Sequence, residues 1–332
     1  MTERLSAQDL ALLDRWQRDF PLTPRPFAEL AEALGLDEDL VIARTRDLMA
    51  RGLISRVGAV VRPNTAGVST LAALAVPRAR LEAVARRVNA EPGVNHNYER
   101  AHEINLWFVV AAQDRAALNA KLERISADTG LEVLDLPLER AYHIDLGFPL
   151  KGDRRTARPL NPGGPSVEAG DRDRGLLAAI EEGLPLIQRP YAAVADALGR
   201  GEREVIEDLQ RLVEAGVISR FGYVVRHRKL GFRANAMAVW DLSDESVDRV
   251  AAGFAAKPFV TLCYRRPRRL PRWRYNLFCM IHGRERTEVE RQIAALNAEA
   301  GTGELPQAVL FSRRCFKQHG ARFSERRQEA AA

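Results

Sequence analysis

Two stretches of this chain repeat in a single register. PLTPRPFAELAEALG, from Pro21, returns as PLIQRPYAAVADALG, from Pro185. RGLISRVGAVVR, from Arg51, returns as AGVISRFGYVVR, from Ala215, again at an offset of 164 residues. Pro26 thus matches Pro190, Gly52 matches Gly216, Arg56 matches Arg220, and Arg62 matches Arg226. Chance does not hold one register across two such segments, so the chain is two copies of one unit. Between them runs PLKGDRRTARPLNPGGPSVEAGDRDR, rich in Pro, Gly and charge, which reads as a linker.

Each copy opens on a helical pattern. In the first, apolar residues recur at Leu30, Ala31 and Leu34, break at Gly35, and resume at Leu40, Val41, Thr45 and Leu48 before Gly52. Two short helices about a tight turn, then a Gly-capped entry into β structure, predict a winged helix-turn-helix. Alternating strand and helix patterns follow. STLAALAVP, VNHNYERA, INLWFVVAAQ and LEVLDLPLERAYHIDL read as strands, with RLEAVARRVNAEPG and RAALNAKLERISADTG as helices. The second copy repeats this order, βαββαβ, which is the ferredoxin-like arrangement. The fold class is therefore α+β, a tandem duplication of a winged helix-turn-helix module followed by a ferredoxin-like βαββαβ domain. The predicted boundaries are helix-turn-helix modules at 1–65 and 174–230, βαββαβ domains at 66–150 and 231–325, and a linker at 151–173.

Charge and composition narrow the partners. The net charge is +6 and the pI about 9.5, which favours a polyanion, either nucleic acid or a carboxylate-rich small molecule. The densest basic run is YRRPRRLPRWR, Tyr264 to Arg274. No apolar stretch approaches the roughly 20 residues of a membrane span, and the polar start MTERLSAQDL resembles no targeting signal, so a cytoplasmic protein without membrane partners is expected. Cys263, Cys279 and Cys315 form no C-x-x-C pair, and buried thiols are expected rather than disulfides or a metal site.

The strand VNHNYERA departs from packing rules. Alternation puts His96, Tyr98 and Arg100 on one face and Asn95, Asn97 and Glu99 on the other, so neither face is apolar. Conflicts of this kind mark functional sites. On the neighbouring strand Asn105 and Trp107 share a face, and Trp107 offers a flat surface suited to a planar macrocycle. The second copy aligns Tyr264 and Arg266 with Tyr98 and Arg100, but Leu262 with His96, which predicts a division of labour between the halves. The terminal strands bring further candidates: His143 in the first copy, and Arg313, Arg314, Lys317 and His319 in the second. His102, His227 and His282 read as ordinary structural histidines.

The order helix-turn-helix then βαββαβ resembles the Lrp/AsnC family of regulators, which implies DNA binding by the first module and pairing and ligand sensing by the second. The start of the first recognition helix, Asp37, Glu38 and Asp39, repels phosphate; the second, with Arg200, Glu202, Arg203 and Glu204, is milder. DNA is therefore not the expected partner, and a DNA-binding regulator is the alternative.

A sharper resemblance lies in HNYER…NLWF and YHIDLGF, then YR…YNLF and LFSRRCFKQHGARF. These motifs resemble the siroheme decarboxylases, in the fused two-subunit form of the haem d1 branch. The resemblance implies loss of the C12 and C18 acetate carboxyls of siroheme without a redox cofactor, the iron entering with the substrate. It implies proton donors, for which His96 and His143 stand first and Tyr98 and His319 next, and carboxylate clamps drawn from Arg100, Arg266, Arg314 and Lys317. Asn105, Trp107 and Tyr264 complete the expected substrate contacts, and His143 or His96 is the candidate axial ligand to the substrate's iron. The two halves are expected to pair within the chain like a heterodimer, with further homo-oligomerisation left open.

Overall fold

A computed structural model describes residues 5–144, 147, 169–318 and 320. In the first copy, α1 (Ala7–Arg15), α2 (Pro26–Leu34) and α3 (Glu38–Ala50) lead into β1 (Ile54–Val61). Ser6 caps α1 by accepting from the Asp9 amide, Pro26 occupies the first turn of α2, and Gly35 ends that helix at φ 63°. In the second copy, α6 (Asp171–Ala179), α7 (Pro190–Leu198) and α8 (Glu202–Glu214) lead into β7 (Ile218–Val225). Each module thus has one helix ahead of the two the repeat shows, and α6 begins at Asp171, inside the stretch read as linker.

The wing is not a hairpin within one module. β1 pairs antiparallel with β7, Gly58 opposite Gly222 and Val57 opposite Tyr223, so the two modules share one ribbon on a pseudo-two-fold axis. A lone two-stranded ribbon is marginal in water. Here it is buried in a single core contributed by both modules, with Leu12, Phe27, Tyr191, Leu209 and Phe221 among its members. The Tyr223 hydroxyl lies 2.8 Å from that of Thr45, and Tyr191 donates to the Pro21 carbonyl, so polar groups in this core are satisfied across the halves.

The βαββαβ units comprise β2 (Val68–Leu74), α4 (Leu81–Ala90), β3 (Val94–Arg100), β4 (Leu106–Ala112), α5 (Arg115–Thr129), β5 (Leu134–Pro137) and β6 (Arg140–Ile144), then β8 (Ala234–Trp240), α9 (Val247–Ala255), β9 (Val260–Arg265), β10 (Leu277–Gly283), α10 (Arg286–Ala300) and β11 (Gln307–Gln318). All nine strands form one sheet in the order β5-β2-β4-β3-β11-β8-β10-β9-β6. The terminal strands are exchanged. Gln307–Phe311 of β11 pair with β8 of their own half, whereas Ser312–Gln318 cross to β3 of the other. In the same way β5 pairs with β2, and β6, two residues on, pairs with β9. The two ends of the ladder therefore belong to one crossing segment, and the sheet wraps around a shared interior.

Helices α4 and α5 cover the outer face of one half through Leu81, Val84, Val88 and Leu118, and α9 and α10 cover the other through Val247, Phe254 and Val289. The inner faces meet at Trp107, Met237, Val239, Trp273 and Phe278. Trp273 comes from the hairpin after β9, and its ring centroid stands 5.0 Å from that of Trp107. Cys263 and Cys279 are buried as expected, face to face across β9 and β10, whereas Cys315 on the crossing strand is exposed. None of the described helices is long and apolar enough to cross a membrane.

The axis glycines make a testable contrast. A Cβ added to Gly222 would stand 2.2 Å from the Trp16 carbonyl oxygen, while one at Gly58 meets nothing closer than 3.4 Å. Gly222→Ala should therefore cost about 2 kcal/mol or more, and Gly58→Ala under about 1 kcal/mol, in denaturant titrations. Equal losses would contradict this account of the axis.

Candidate active site

A cavity of about 430 Å³ lies between the inner sheet faces and the β1–β7 ribbon, a size usual for ligand sites. The polar strand β3 supplies its most unusual side chains. His96, Tyr98 and Arg100 all line the cavity, as alternation predicts, and a bulge after Val94 brings Asn95 in beside them. Asn97 and Glu99 take the helix side, where Asn97 donates to Asn89 and Glu99 accepts from Arg314. His96 Nδ1 is 3.4 Å from the Tyr98 hydroxyl, with the two rings nearly parallel, and the Arg100 guanidinium stands 5.7 Å from the Tyr98 ring centroid.

The second half repeats this arrangement. Tyr264 and Arg266 line the same cavity, with the Arg266 guanidinium 5.2 Å from the Tyr264 ring centroid. Each arginine is tied to the terminal strands of the other copy. Arg100 Nη1 donates to the Leu310 carbonyl at 3.1 Å, and Arg266 Nη1 to the Leu136 carbonyl at 2.6 Å. Only 6% and 9% of their surfaces are exposed, and each Nε is buried without a hydrogen-bond partner. Burial lowers both pKa values to about 10, with Arg228 adding to it at Arg100 and the attraction of Tyr264 and Asp135 opposing it at Arg266. Guanidinium does not give up its proton at physiological pH, so these are two buried cations. Burial also holds the Tyr98 and Tyr264 phenols protonated well above the usual tyrosine range.

The pseudo-symmetry fails at the histidines, and more widely than His96 against Leu262. By the aligned strands, His282 stands where the first half has Ala111, Asn235 where it has Ser69, and His227 where it has Pro63. All six positions line the cavity. His282 is locked as one neutral tautomer. Thr261 donates to the Met280 carbonyl and so accepts from His282 Nδ1 at 2.9 Å, while Asn235 Nδ2 donates to His282 Nε2 at 2.6 Å. Its ring meets that of His227 edge-on, centroids 4.8 Å apart. Burial, then the neighbouring His227, Arg100 and Arg228, push the His282 pKa well down. These histidines were read as structural in the sequence. Their signal was available in the copy-to-copy comparison, as polar residues replacing small or apolar ones at matched positions.

Other expected site residues lie elsewhere. Asn105 is outside the cavity, its amide exchanging two hydrogen bonds with the Val76 backbone, each 2.9 Å. His143 pairs with Cys263, whose side chain belongs to the helix-side core, and does not line the cavity. Arg314 is exposed and ion-paired to Glu99 and Glu82, and Lys317 donates to the Asn89 carbonyl at 2.7 Å. Surface pairs of this kind leave no guanidinium for a cavity ligand. Trp107 does line the cavity, but with 1% exposure, its N–H on the Ile104 carbonyl and its ring against Trp273, it is also core. His319 lies outside the described residues. Of the arginine-rich run only Arg266 reaches the cavity; Arg265, Arg268, Arg272 and Arg274 pair with Glu139, Asp241, Asp244 and Glu132.

Six arginines line the cavity among the described residues: Arg56, Arg62, Arg100, Arg220, Arg226 and Arg266. Glu181 is the single carboxylate among those described residues. No described group of His, Cys, Asp and Glu could hold a metal ion of the protein's own.

Known proteins agree with this architecture. A model of the AsnC-like ligand binding domain matches residues 65–143 and 229–317, and one of the siroheme decarboxylase NirDL-like HTH domain matches 9–54 and 173–218. The siroheme decarboxylase NirDL subunit of Paracoccus denitrificans is 49% identical over 317 residues, covering 96% of this chain and 97% of that protein. The chain belongs to the siroheme decarboxylase family. A crystal structure of the siroheme decarboxylase NirDL in co-complex with an iron-uroporphyrin III analogue superposes at a TM-score of 0.67 and 30% identity, covering 93% of this chain and 92% of that one. The siroheme decarboxylase NirD subunit of Pseudomonas aeruginosa, 53% identical, covers 43% of this chain with 95% of its own length. The duplicated family member described here thus carries in one polypeptide what some relatives carry as separate subunits.

The histidine pair sets a pH dependence. Burial, with Arg228 adding to it, lowers the His227 pKa from 6.5 to about 4. Between those values the unfolded chain takes up a proton and the folded one does not, so stability is complete above pH 6.5 and is lost as pH falls toward 4. The expected loss from His227 is on the order of 3 kcal/mol. Urea titrations at pH 7, 5.5 and 4.5 should show it, and His227→Asn should flatten the dependence; an unchanged slope in the variant would remove His227 from this role.

Proposed function

We propose that this chain decarboxylates siroheme, removing the acetate carboxyls at C12 and C18 to give 12,18-didecarboxysiroheme, within haem d1 or alternative haem biosynthesis. The observation that carries the reading is the cavity wall itself, where the described residues set six guanidinium groups against one carboxylate, with imidazole and phenol groups among them. A flat ligand bearing eight carboxylates supplies the anions that the buried Arg100 and Arg266 lack.

The reaction breaks the bond between the acetate methylene and its carboxyl carbon. CO2 leaves, the electron pair remains on the methylene carbon, conjugated with the macrocycle, and a proton delivered there completes a methyl group. No electron is exchanged with a cofactor, and the iron belongs to the substrate. The family member's own groups then have three tasks. Arg100 and Arg266 hold carboxylates that do not react. Tyr98, kept protonated by burial, and His96 beside it are the proton donors. His282, with both ring nitrogens engaged, is a positioning residue that orients His227. His96 is the axial-ligand candidate that faces the cavity, whereas His143 faces the helices. Burial of the reacting carboxyl near apolar Met237 and Met280 favours its departure as neutral CO2.

Reading DNA is the less favoured role. Glu38 and Glu202, at the starts of α3 and α8, are ion-paired to Arg25 and Arg189 in both copies, and Arg200 and Arg203 are neutralised by Asp208 and Glu207. Cations so compensated are not available to a phosphate backbone.

Anaerobic incubation with siroheme, followed by mass analysis of the tetrapyrrole, tests the proposal. Wild type should yield mono- and then didecarboxylated product, His96→Ala should lose about 10²-fold or more in turnover, and His143→Ala should lose under tenfold. Siroheme recovered intact from the wild-type reaction would end the proposal; a fully active His96→Ala would reassign the proton donor.

A further inference from the structure

The ribbon joining the two helix-turn-helix modules faces inward. Arg56 lies in β1 and Arg220 in β7, mates at the offset of 164; Arg62 and Arg226 follow those strands and are mates as well. All four line the cavity. Their backbone is fixed symmetrically, the Arg62 amide donating to the Val217 carbonyl and the Arg226 amide to the Leu53 carbonyl, each at 2.8 Å. Val217 and Leu53 are themselves repeat mates, so the two arginines leave the ribbon from matched backbone positions, Arg62 half-buried and Arg226 exposed.

The inner pair sits deeper. Arg220 is 8% exposed, and burial lowers the Arg56 pKa despite the attraction of Glu182. Arg56 donates to the Ala59 carbonyl at 3.0 Å, which spends one of its five N–H groups. Neither Arg62 nor Arg226 forms an ion pair among the described residues. A wing that read DNA would turn its cations outward to a phosphate backbone. These line the cavity, Arg226 being exposed to solvent as well, and Glu181 is the single acidic side chain among the described lining residues.

We infer that the helix-turn-helix ribbon is the carboxylate-reading roof of the ligand site, with Arg62 and Arg226 gripping peripheral carboxylates of the bound macrocycle and Arg56 and Arg220 supporting them from within. The inference rests on the tetrapyrrole reading above and extends it. The modules are part of the binding site rather than inherited scaffold, and they select by carboxylate number. Arg100 and Arg266 mark the floor of the site, and the ribbon closes over the opposite rim. A macrocycle with carboxylates around its whole periphery would engage both; one that bears them on fewer positions would leave the roof partly unused.

Two probes separate roof from floor. Iron uroporphyrin carries eight carboxylates and iron coproporphyrin four, on the same macrocycle. Binding to the full chain is followed by the Soret band of each. Wild type should prefer the octacarboxylate. The double variant Arg62→Gln/Arg226→Gln should bind iron uroporphyrin about 10- to 100-fold more weakly, with a loss for iron coproporphyrin at least several-fold smaller. Arg62→Lys/Arg226→Lys, which keeps the charge without the fork, should recover part of the loss. Thermal melts of both variants matching wild type would confirm that the fold is intact. Gln variants that bind both probes like wild type, or that lose both equally, would overturn the roof assignment while leaving the tetrapyrrole reading in place. Wild-type protein that binds neither probe would sink that reading and this one with it.

Discussion

Two guanidinium groups buried in a sheet interior impose the main constraint on this protein. Arg100 and Arg266 cannot shed their charge, and each is held there by a hydrogen bond to a carbonyl of a crossing strand, Leu310 or Leu136. Among the described residues neither forms an ion pair, although Asp135 attracts Arg266 from a distance. An uncompensated buried cation costs several kcal/mol even after relaxation, so a site of this kind persists only where a ligand or a function requires it. The apolar clusters, the shared helix-turn-helix core and the exchanged strands supply the stability that offsets it.

Strand exchange is what makes those cations convergent. If each half kept its terminal strand to itself, β3 and β9 would be sheet edges, open to solvent and to unwanted pairing. By sending Ser312–Gln318 to β3 and Arg140–Ile144 to β9, the chain covers both edges and turns two inner faces toward one another. The same exchange explains why Arg314 and Lys317 serve the surface. They ride on the covering strand, beside α4, and their charges are answered by Glu82, Glu99 and the Asn89 carbonyl. Stability and site formation are thus one event, since the cavity has no walls until both halves are in place.

Duplication followed by divergence gives the site its polarity. The arginines and tyrosines of the cavity wall are kept in pairs: Tyr98 with Tyr264, Arg100 with Arg266, Arg56 with Arg220, Arg62 with Arg226. The histidines are not. His96 from the first half and His227 and His282 from the second all line the cavity, and their mates are Leu262, Pro63 and Ala111. A near-symmetric frame of arginines and tyrosines thus carries an asymmetric set of histidines.

The linear chain already contained the duplication, the α+β class, the order of elements and the polar face of VNHNYERA. These rest on periodicity and local chemistry, and both survive folding because they are set by neighbours within a few residues. Arg100, Tyr98, His96, Tyr264 and Arg266 were legible for that reason, lying on strands whose alternation alone sends them inward. Tertiary structure decided the rest. Nothing local says that β1 pairs with β7 instead of closing its own wing, or that β11 bends across to β3. Those pairings turn the wing arginines inward, bring His227 and His282 to the cavity, and leave Asn105, His143, Arg314 and Lys317 outside it. A side chain's face is set by its own strand, but what that face looks upon is set by contacts between residues a hundred or more positions apart.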